Sequence, residues 1–367
     1  MLKSFKFRLF PSKSQVTKLE TTLELCRELY NAALSERREA WQRQRKSITY
    51  LDQQNVLPFI KAIREDVAEI HSQVLQDVLR RLDKGFKAFF SRIRKGAKAG
   101  FPRFKGKNRY DSFTFAQSGF ALKGNKLQLS KLGLFKIKWH RELIGKIKTL
   151  TLKRSSTGKW FACFSVETAE EILEPTNQQI GIDVGIKSFA VFSNGTEIDN
   201  PKFFRFDEKD LAKAQRKKNR KRAAKIHERI KNRRNNFVHQ VSRYLVDNFD
   251  LIVFEKLRVS NMVKNSRLAK TIADASWSKL FELTSYKAEN AGRTMIQVNP
   301  RNTSQNCSGC GELVRKDLSV RIHSCSNCGL EMCRDENAAK NILALGLESI
   351  GNQSVEATSK RFGLVVE

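Results

Sequence analysis

The stretch IGIDVGIKSFAVFSNG, Ile180 to Gly195, decides how the rest of the chain is read. Its apolar positions run almost without interruption on either side of Gly185 and stop at Asn194-Gly195. Short, nearly continuous apolar runs bounded by turn residues read as two buried strands around a tight turn. Downstream, residues 207–250 contain neither Gly nor Pro and read as one or two long helices. LIVFEKL (251–257) is again a buried-type strand, a helix is expected over roughly 276–292, TMIQVNP is a short strand, and a final helix starts near Asp335. Strands alternating with helices favour an α/β layered domain.

Within that pattern three acids are out of place. Asp183 sits inside the first apolar run, Glu255 closes LIVFE, and Asp335 opens the helix-like stretch in CRDENAAKNIL. A carboxylate in an apolar strand costs free energy unless it is paired or bound to a cation. Three acids from separate elements meeting at one point would form an oxygen cradle suited to Mg²⁺ or Mn²⁺. Two such ions about 4 Å apart can activate a water and stabilise the leaving oxygen of a phosphodiester. Singly, each acid has an ordinary alternative: a turn residue at Asp183, a strand-end ion pair at Glu255, a helix cap at Asp335.

Between the last two acids lie Cys307-x2-Cys310 and Cys325-x2-Cys328, separated by fourteen residues. Each pair can offer two thiolates from a tight turn, and two pairs complete a tetrahedron around Zn²⁺. Gly309, Gly311 and Gly329 suit such turns. Four sulfur ligands leave no open position, so this zinc is expected to be structural. His323 reads as a surface or contact residue, Cys26 and Cys163 as core, and Cys333 has no assigned role. Seven cysteines, an odd number with four clustered, argue for metal over disulfides.

Charge points to the partner. The 367 residues, enough for two or three domains, carry 69 Lys+Arg against 38 Asp+Glu, a formal +31, with 40% apolar residues. A surface so positive implies a polyanion, and nucleic acid is the default. An anionic membrane is disfavoured because the charge is spread along the chain and not gathered on one amphipathic helix. No apolar run approaches the ~20 residues that span a bilayer. The start, MLKSFKFRLFPS, alternates basic and apolar residues and reads as a strand, not a signal peptide, so the protein is expected to be intracellular.

Residues 12–57 lack Gly and Pro, and Leu19, Leu23, Cys26, Tyr30 and Ala33 recur at helical spacing. A second helical stripe follows Pro58, from Val67 to Phe89. After Gly96 the composition changes to short alternating runs with turn signals, which suggest a small β-barrel or open sheet. ETAEEILEPTNQQ (167–179) reads as a linker. Two basic tracts stand out. Residues 202–234 hold fifteen Lys/Arg against four acids; Arg216, Lys217, Lys218, Arg220, Lys221 and Arg222 are candidate phosphate contacts, a solvated helix face being the ordinary alternative. In 101–120, six aromatics interleave with Arg103, Lys105, Lys107 and Arg109, a pattern on which bases can stack, although some rings must be core.

GIDVGIKSFAVFSNG, IVFEKL, NPRNTSQNCSGCG, CSNCG and RDENAAKNIL, with ELYNAAL and GFPRFKGK upstream, resemble the TnpB family of transposon-associated nucleases, from about residue 3 to 345. The resemblance implies an RNase H-like, RuvC-type α/β catalytic core interrupted by a zinc ribbon between the second and third acids. It implies an RNA-guided DNA endonuclease, similar to miniature type V CRISPR effectors. Such an enzyme uses a guide RNA from the transposon end and recognises a short motif beside its double-stranded DNA target. The division of labour is physical: base pairing reads sequence while protein grips backbone shape. By resemblance, Asp183, Glu255 and Asp335 match the catalytic acids that hold Mg²⁺, and Cys307, Cys310, Cys325 and Cys328 match the ribbon's zinc ligands. Arg301 is a candidate phosphate contact by the same match. The implied domains are a wedge-like β-domain (1–11 and 97–175), a helical recognition module (12–96), a nuclease domain (176–300 and 333–350), the ribbon (301–332) and a flexible tail (351–367). The implied setting is the nucleoid-associated cytoplasm of a prokaryote. Two rivals share these features: an RNA-guided repressor that binds without cutting, and a DDE-type strand-joining transposase.

Overall fold

From Met1 to Ala169 the chain forms one unit and from Glu170 onward a second. The computed structural model describes residues 1–317 and 319–362, the side chains of 352–362 excepted.

The first unit starts with β1 (Leu2–Phe10), whose Phe7 and Leu9 point into the core. Ser12 then starts α1 (Lys13–Gln44): its side chain accepts the Gln15 N–H and the Gln15 side chain accepts the Ser12 N–H, a capping box. Leu19, Leu23, Cys26, Tyr30 and Ala33 are all buried. The helical run expected across 12–57 breaks at Arg45, which is left-handed at φ 52°. Three short helices follow, α2 (Tyr50–Asn55), α3 (Leu57–Ile63) and α4 (Glu65–Ala68), then α5 (Ser72–Arg94), which packs along α1. Beyond them lie β2 (Ser112–Phe115), β3 (Phe120–Lys123), β4 (Lys126–Leu129), β5 (Gly133–Lys138), β6 (Lys146–Arg154) and β7 (Trp160–Glu167).

These strands and β1 form one sheet of seven, ordered β2-β6-β7-β1-β5-β4-β3, with every ladder antiparallel. The two edge strands β2 and β3 are joined by residues 116–119 alone. That link reaches at most about 17 Å, whereas the edges of a flat seven-stranded sheet stand about 29 Å apart. The sheet therefore curls into a nearly closed barrel. The Phe115 and Phe120 rings at its two edges sit 6.5 Å apart.

In the second unit the segment before the first strand is tied down: Asp250 accepts the N–H groups of Thr176 (3.0 Å) and Asn177 (2.7 Å). Then come β8 (Gln179–Val184), β9 (Ser188–Phe192), β10 (Glu197–Asp199), α6 (Phe203–Arg216), α7 (Arg220–Asn248) and β11 (Leu251–Glu255). After these follow α8 (Val259–Met262), α9 (Ser266–Ala275), α10 (Trp277–Ala291), β12 (Thr294–Val298), β13 (Ile322–Ser324), β14 (Glu331–Cys333) and α11 (Arg334–Phe362). The two helices α8 and α9 are additions to the elements read from sequence. The main sheet runs β10-β9-β8-β11-β12; β8, β11 and β12 are parallel, β9 returns antiparallel to β8, and β10 pairs antiparallel with β9.

Both faces of this sheet are covered. Ile252 and Phe254 of β11 join a core with α7, α9 and α10, whereas Leu251 and Val253 join another with Ile342 of α11. Burial on both faces is why the strand reads as a continuous apolar run. The tail expected over 351–367 falls almost wholly outside the residues whose side chains are described.

Candidate active site

β8 and β11 are adjacent and parallel, with Val253 beside Gly181 and Phe254 beside Ile182. Continuing that register sets Glu255 level with Asp183, at the carboxyl ends of strands about 4.8 Å apart. Alternation puts both acids on one face. On β11, Leu251 and Val253 face α11, so Glu255 does too. On β8, the face of Gly181 meets Ala339 and Leu343 of α11, so Asp183 shares it. Asp335 lies in the first turn of that same helix. Carboxyl ends of parallel strands, at the point where the strand order switches sides as it does between β8 and β11, are where α/β sheets open a crevice.

Electrostatics ties the three together. Asp183 keeps some open surface, yet the protein crowding its carboxyl pushes its pKa well above the usual carboxylate range, and the Glu255 and Asp335 charges push it further. Arg334 opposes that shift. Glu255 is buried and also raised, by burial, against a lowering hydrogen bond from Thr303. No ion pair reaches Asp183 or Glu255 among the described residues. Asp335 is different: one oxygen accepts Arg334 Nε (3.1 Å) and Nη2 (3.0 Å), and the other lies 3.6 Å from Arg321 Nη1. Of the ordinary explanations, the strand-end ion pair at Glu255 is therefore missing, and Asp183 lies within a strand and not a turn.

The donor set of this crevice, carboxylate oxygens alone, suits a hard divalent cation. It is looser than the cysteine site. Among the described residues only Cys307, Cys310, Cys325 and Cys328 bring all their ligand atoms within 4.8 Å of one another. Their sulfurs pair at 3.5 Å (Cys307 to Cys328) and 3.7 Å (Cys310 to Cys325). Zn–S bonds of about 2.3 Å in a tetrahedron put sulfurs about 3.8 Å apart, so the four fit one Zn²⁺. Each pair sits in a turn closed by backbone hydrogen bonds, Gly311 N–H to Cys307 and Gly329 N–H to Cys325. Asn327 donates to Cys310 Sγ at 3.4 Å and, with the Glu312 backbone, brings that thiol down to about 6. His323, expected to be a surface or contact residue and not a ligand, is fully buried and outside the quartet.

The basic candidates divide. Arg216, Lys217, Lys218, Arg220, Lys221 and Arg222 are all exposed, at the tip of a helical hairpin made by α6 and α7. The hairpin turns at Lys218, left-handed at φ 49°, and Asn219 caps α7 by accepting the Arg222 N–H. It closes on its own small core of Leu211, Ala214, Ile226 and Ile230. None of the six tip side chains is in an ion pair among the described residues.

In the first unit, Tyr110, Phe113 and Phe115 are core. Phe101 and Phe104 instead open, with Trp41 and Phe90, onto a groove of 1540 Å³ flanked by Arg38 and Arg103. Lys107 is exposed, while Lys105 is half-buried, its backbone held by Asn31 and Arg27 of α1. Arg301 is exposed before the cysteine pairs.

Sequence reasoning missed Thr303 against Glu255, Asn337 and Asn341 on the loop that carries Thr303, and the glycines that seat α11. The only advance signals were a glycine in an apolar strand and two asparagines four apart in NAAKN.

Three family models match the chain: "Probable transposase" over residues 162–266, "Cas12f1-like, TNB domain" over 277–342, and "Helix-turn-helix domain" over 1–46. The last name does not describe the structure here, where those residues form β1 and one long helix. A "Putative RNA-guided DNA endonuclease" of Streptomyces pristinaespiralis is 34% identical over 365 residues, 94% of this chain and 89% of the relative. "Putative RNA-guided DNA endonuclease InsQ" of Escherichia coli (strain K12) is 30% identical, covering 94% and 92%. A "CRISPR-associated endodeoxyribonuclease Cas12f1" of Sulfoacidibacillus thermotolerans is 30% identical over 136 residues, 36% and 32% of the two chains. No described helix is long and apolar enough to cross a membrane.

Proposed function

The chain belongs to the TnpB family, and from that premise we propose that it is a transposon-associated RNA-guided DNA endonuclease. In this reading the β8–β11 sheet is an RNase H-like, RuvC-type core. Asp183, Glu255 and Asp335 hold Mg²⁺ or Mn²⁺ against the target strand, and Cys307, Cys310, Cys325 and Cys328 hold a structural Zn²⁺. Guide RNA from the transposon end pairs with double-stranded DNA beside a short adjacent motif.

The observation that carries the proposal is the register of β8 and β11, which sets Asp183 and Glu255 level on the face that α11 covers, with Asp335 in the first turn of that helix; burial and the facing charges accordingly raise the Asp183 pKa. Like charges held together, with cations paired only to Asp335, are a standing cost, and such perturbed groups mark functional sites. Divalent ions bound there supply Lewis-acid activation of water and neutralise charge at the leaving oxygen. The chain's own part is geometric. Two strands in register present two carboxylates at one level, and α11 brings the third. Arg334 neutralises Asp335 until a cation competes for it. The exposed cations at the α6–α7 tip and along 101–107 suit a phosphate backbone.

The test is incubation of the purified ribonucleoprotein with Mg²⁺ and a plasmid carrying a guide-matched target beside a randomised flank. The expected result is a linear product that disappears in Asp183→Ala, Glu255→Ala and Asp335→Ala. Target binding without cleavage by the intact protein would instead make it a repressor. Joined strands would give the strand-transfer activity that the transposase name suggests.

A further inference from the structure

We infer that Thr303, held in place by Asn337 and Asn341 of α11, is a positioning residue that orients the Glu255 carboxylate. The inference rests on the proposed role of Glu255. Thr303 lies in the loop between β12 and the first cysteine pair and is buried, at 2% exposure. Its hydroxyl donates to Glu255 Oε1 at 2.5 Å, and the Pro300 carbonyl stands 3.2 Å from the same hydroxyl. A carboxylate swings freely about its last torsion. A single hydroxyl on one oxygen arrests that swing, and the other oxygen accepts no hydrogen bond among the described residues.

The hydroxyl is itself fixed by the helix that carries Asp335. Asn341 Nδ2 donates to the carbonyls of Thr303 (2.8 Å) and Asn306 (2.7 Å). One turn earlier, fully buried Asn337 donates to the Asn306 carbonyl (2.8 Å) and accepts the Ser308 N–H (2.9 Å). Residues four apart share a helix face, so both asparagines clasp the same loop. The clasp thus joins α11, through the segment leading into the cysteine ribbon, to Glu255. Outer groups of this kind orient ligands, and losing one typically costs about 10–100-fold in metal affinity or activity.

The experiment uses full-length, zinc-loaded protein free of RNA, with Mn²⁺ binding read by electron paramagnetic resonance. Cleavage against Mn²⁺ concentration is measured in parallel on the ribonucleoprotein. Thr303→Val, which keeps shape and removes the hydroxyl, should weaken Mn²⁺ binding about 10–100-fold and move the cleavage curve to higher Mn²⁺. Thr303→Ser should restore both to near wild type, and Asn341→Leu should shift both in the direction of Thr303→Val. Target binding should stay unchanged in all three. Wild-type Mn²⁺ affinity in Thr303→Val would overturn the inference, as would equal losses in Thr303→Val and Thr303→Ser. Glu255→Gln separates the two levels: if it binds Mn²⁺ and cleaves normally, the carboxylate site itself is wrong. If it is inactive while Thr303→Val is normal, only the positioning role fails.

Discussion

A methyl group on Gly181 of β8 would lie 2.1 Å from the carbonyl oxygen of Ala339 on α11. No real Cβ is tolerated there, so the helix bearing Asp335 sits on the strand bearing Asp183 only because residue 181 has no side chain. Gly346 makes a second close seat, its would-be Cβ 2.5 Å from Val253. Gly181→Ala should therefore push α11 outward and separate Asp335 from Asp183. Overpacking of this kind costs about 1–3 kcal/mol, or about 2–4 °C in Tm per kcal/mol. Thermal melts should show it, with cleavage falling further than stability. Gly100→Ala, with nothing near its Cβ, is the control; equal behaviour of the two variants would contradict the account.

Asp183 binds its proton more tightly folded than unfolded, because burial and then the Glu255 and Asp335 charges raise its pKa above the ordinary 3.8. The sign follows from linkage. Stability without divalent metal is lost as pH rises from that ordinary value through the raised one, and stays low above it. Asp183→Asn should thus be more stable than wild type, by a margin that grows across the same window. Added Mg²⁺ should raise the wild-type Tm and leave the variant's nearly unchanged. Melts at pH 4.5 and 8 check this, and a margin that shrinks with pH would contradict it.

The unpaired cations at the α6–α7 tip should act through salt. Arg216, Lys217 and Lys218 changed together to Gln should weaken guide-RNA binding and flatten its dependence on salt, by about 1 in slope for each phosphate no longer neutralised. Affinity titrations at several KCl concentrations decide it; an unchanged slope means that the tip is only a solvated surface.

Trp41 is 52% exposed in a groove flanked by cations, with the Arg45 guanidinium 5.8 Å from its ring centroid, and Phe90, Phe101 and Phe104 extend the open apolar surface beside it. If unpaired bases stack there, Trp41→Ala should lose about 1–3 kcal/mol of single-stranded RNA affinity. Trp41→Phe should lose less. Fluorescence anisotropy with a labelled oligonucleotide measures both, and equal affinity in all three proteins would remove the groove from the RNA path.

The cysteine quartet should yield one Zn²⁺ per chain in metal analysis of purified protein. Cys310→Ser should lower that content. Because Ser308 beside the quartet hydrogen-bonds Asn337, removing the metal should also loosen α11. Hydrogen exchange at 334–345 should rise in the variant and stay as in wild type in β1–β7; no change at α11 would sever the proposed link.

Much of this protein was determined by local sequence. Acids inside apolar strands, cysteine pairs two apart and strands alternating with helices stand out because each violates or satisfies a rule within a few residues. Asp183, Glu255 and the cysteine quartet could thus be singled out as candidates without coordinates, and the α/β character of their domain could be read. Other features required the fold. Periodicity says that a face is buried, not what covers it. It could not separate Phe113 and Phe115, in the barrel core, from Phe101 and Phe104, open to a groove. It could not show that the helical run after Arg205 turns back at Lys218. The clasp of Thr303 by Asn341 and the seat of Ala339 on Gly181 depend on strand register and on how closely a helix approaches a sheet. Those are meetings of residues far apart in the chain, and only packing in three dimensions sets them.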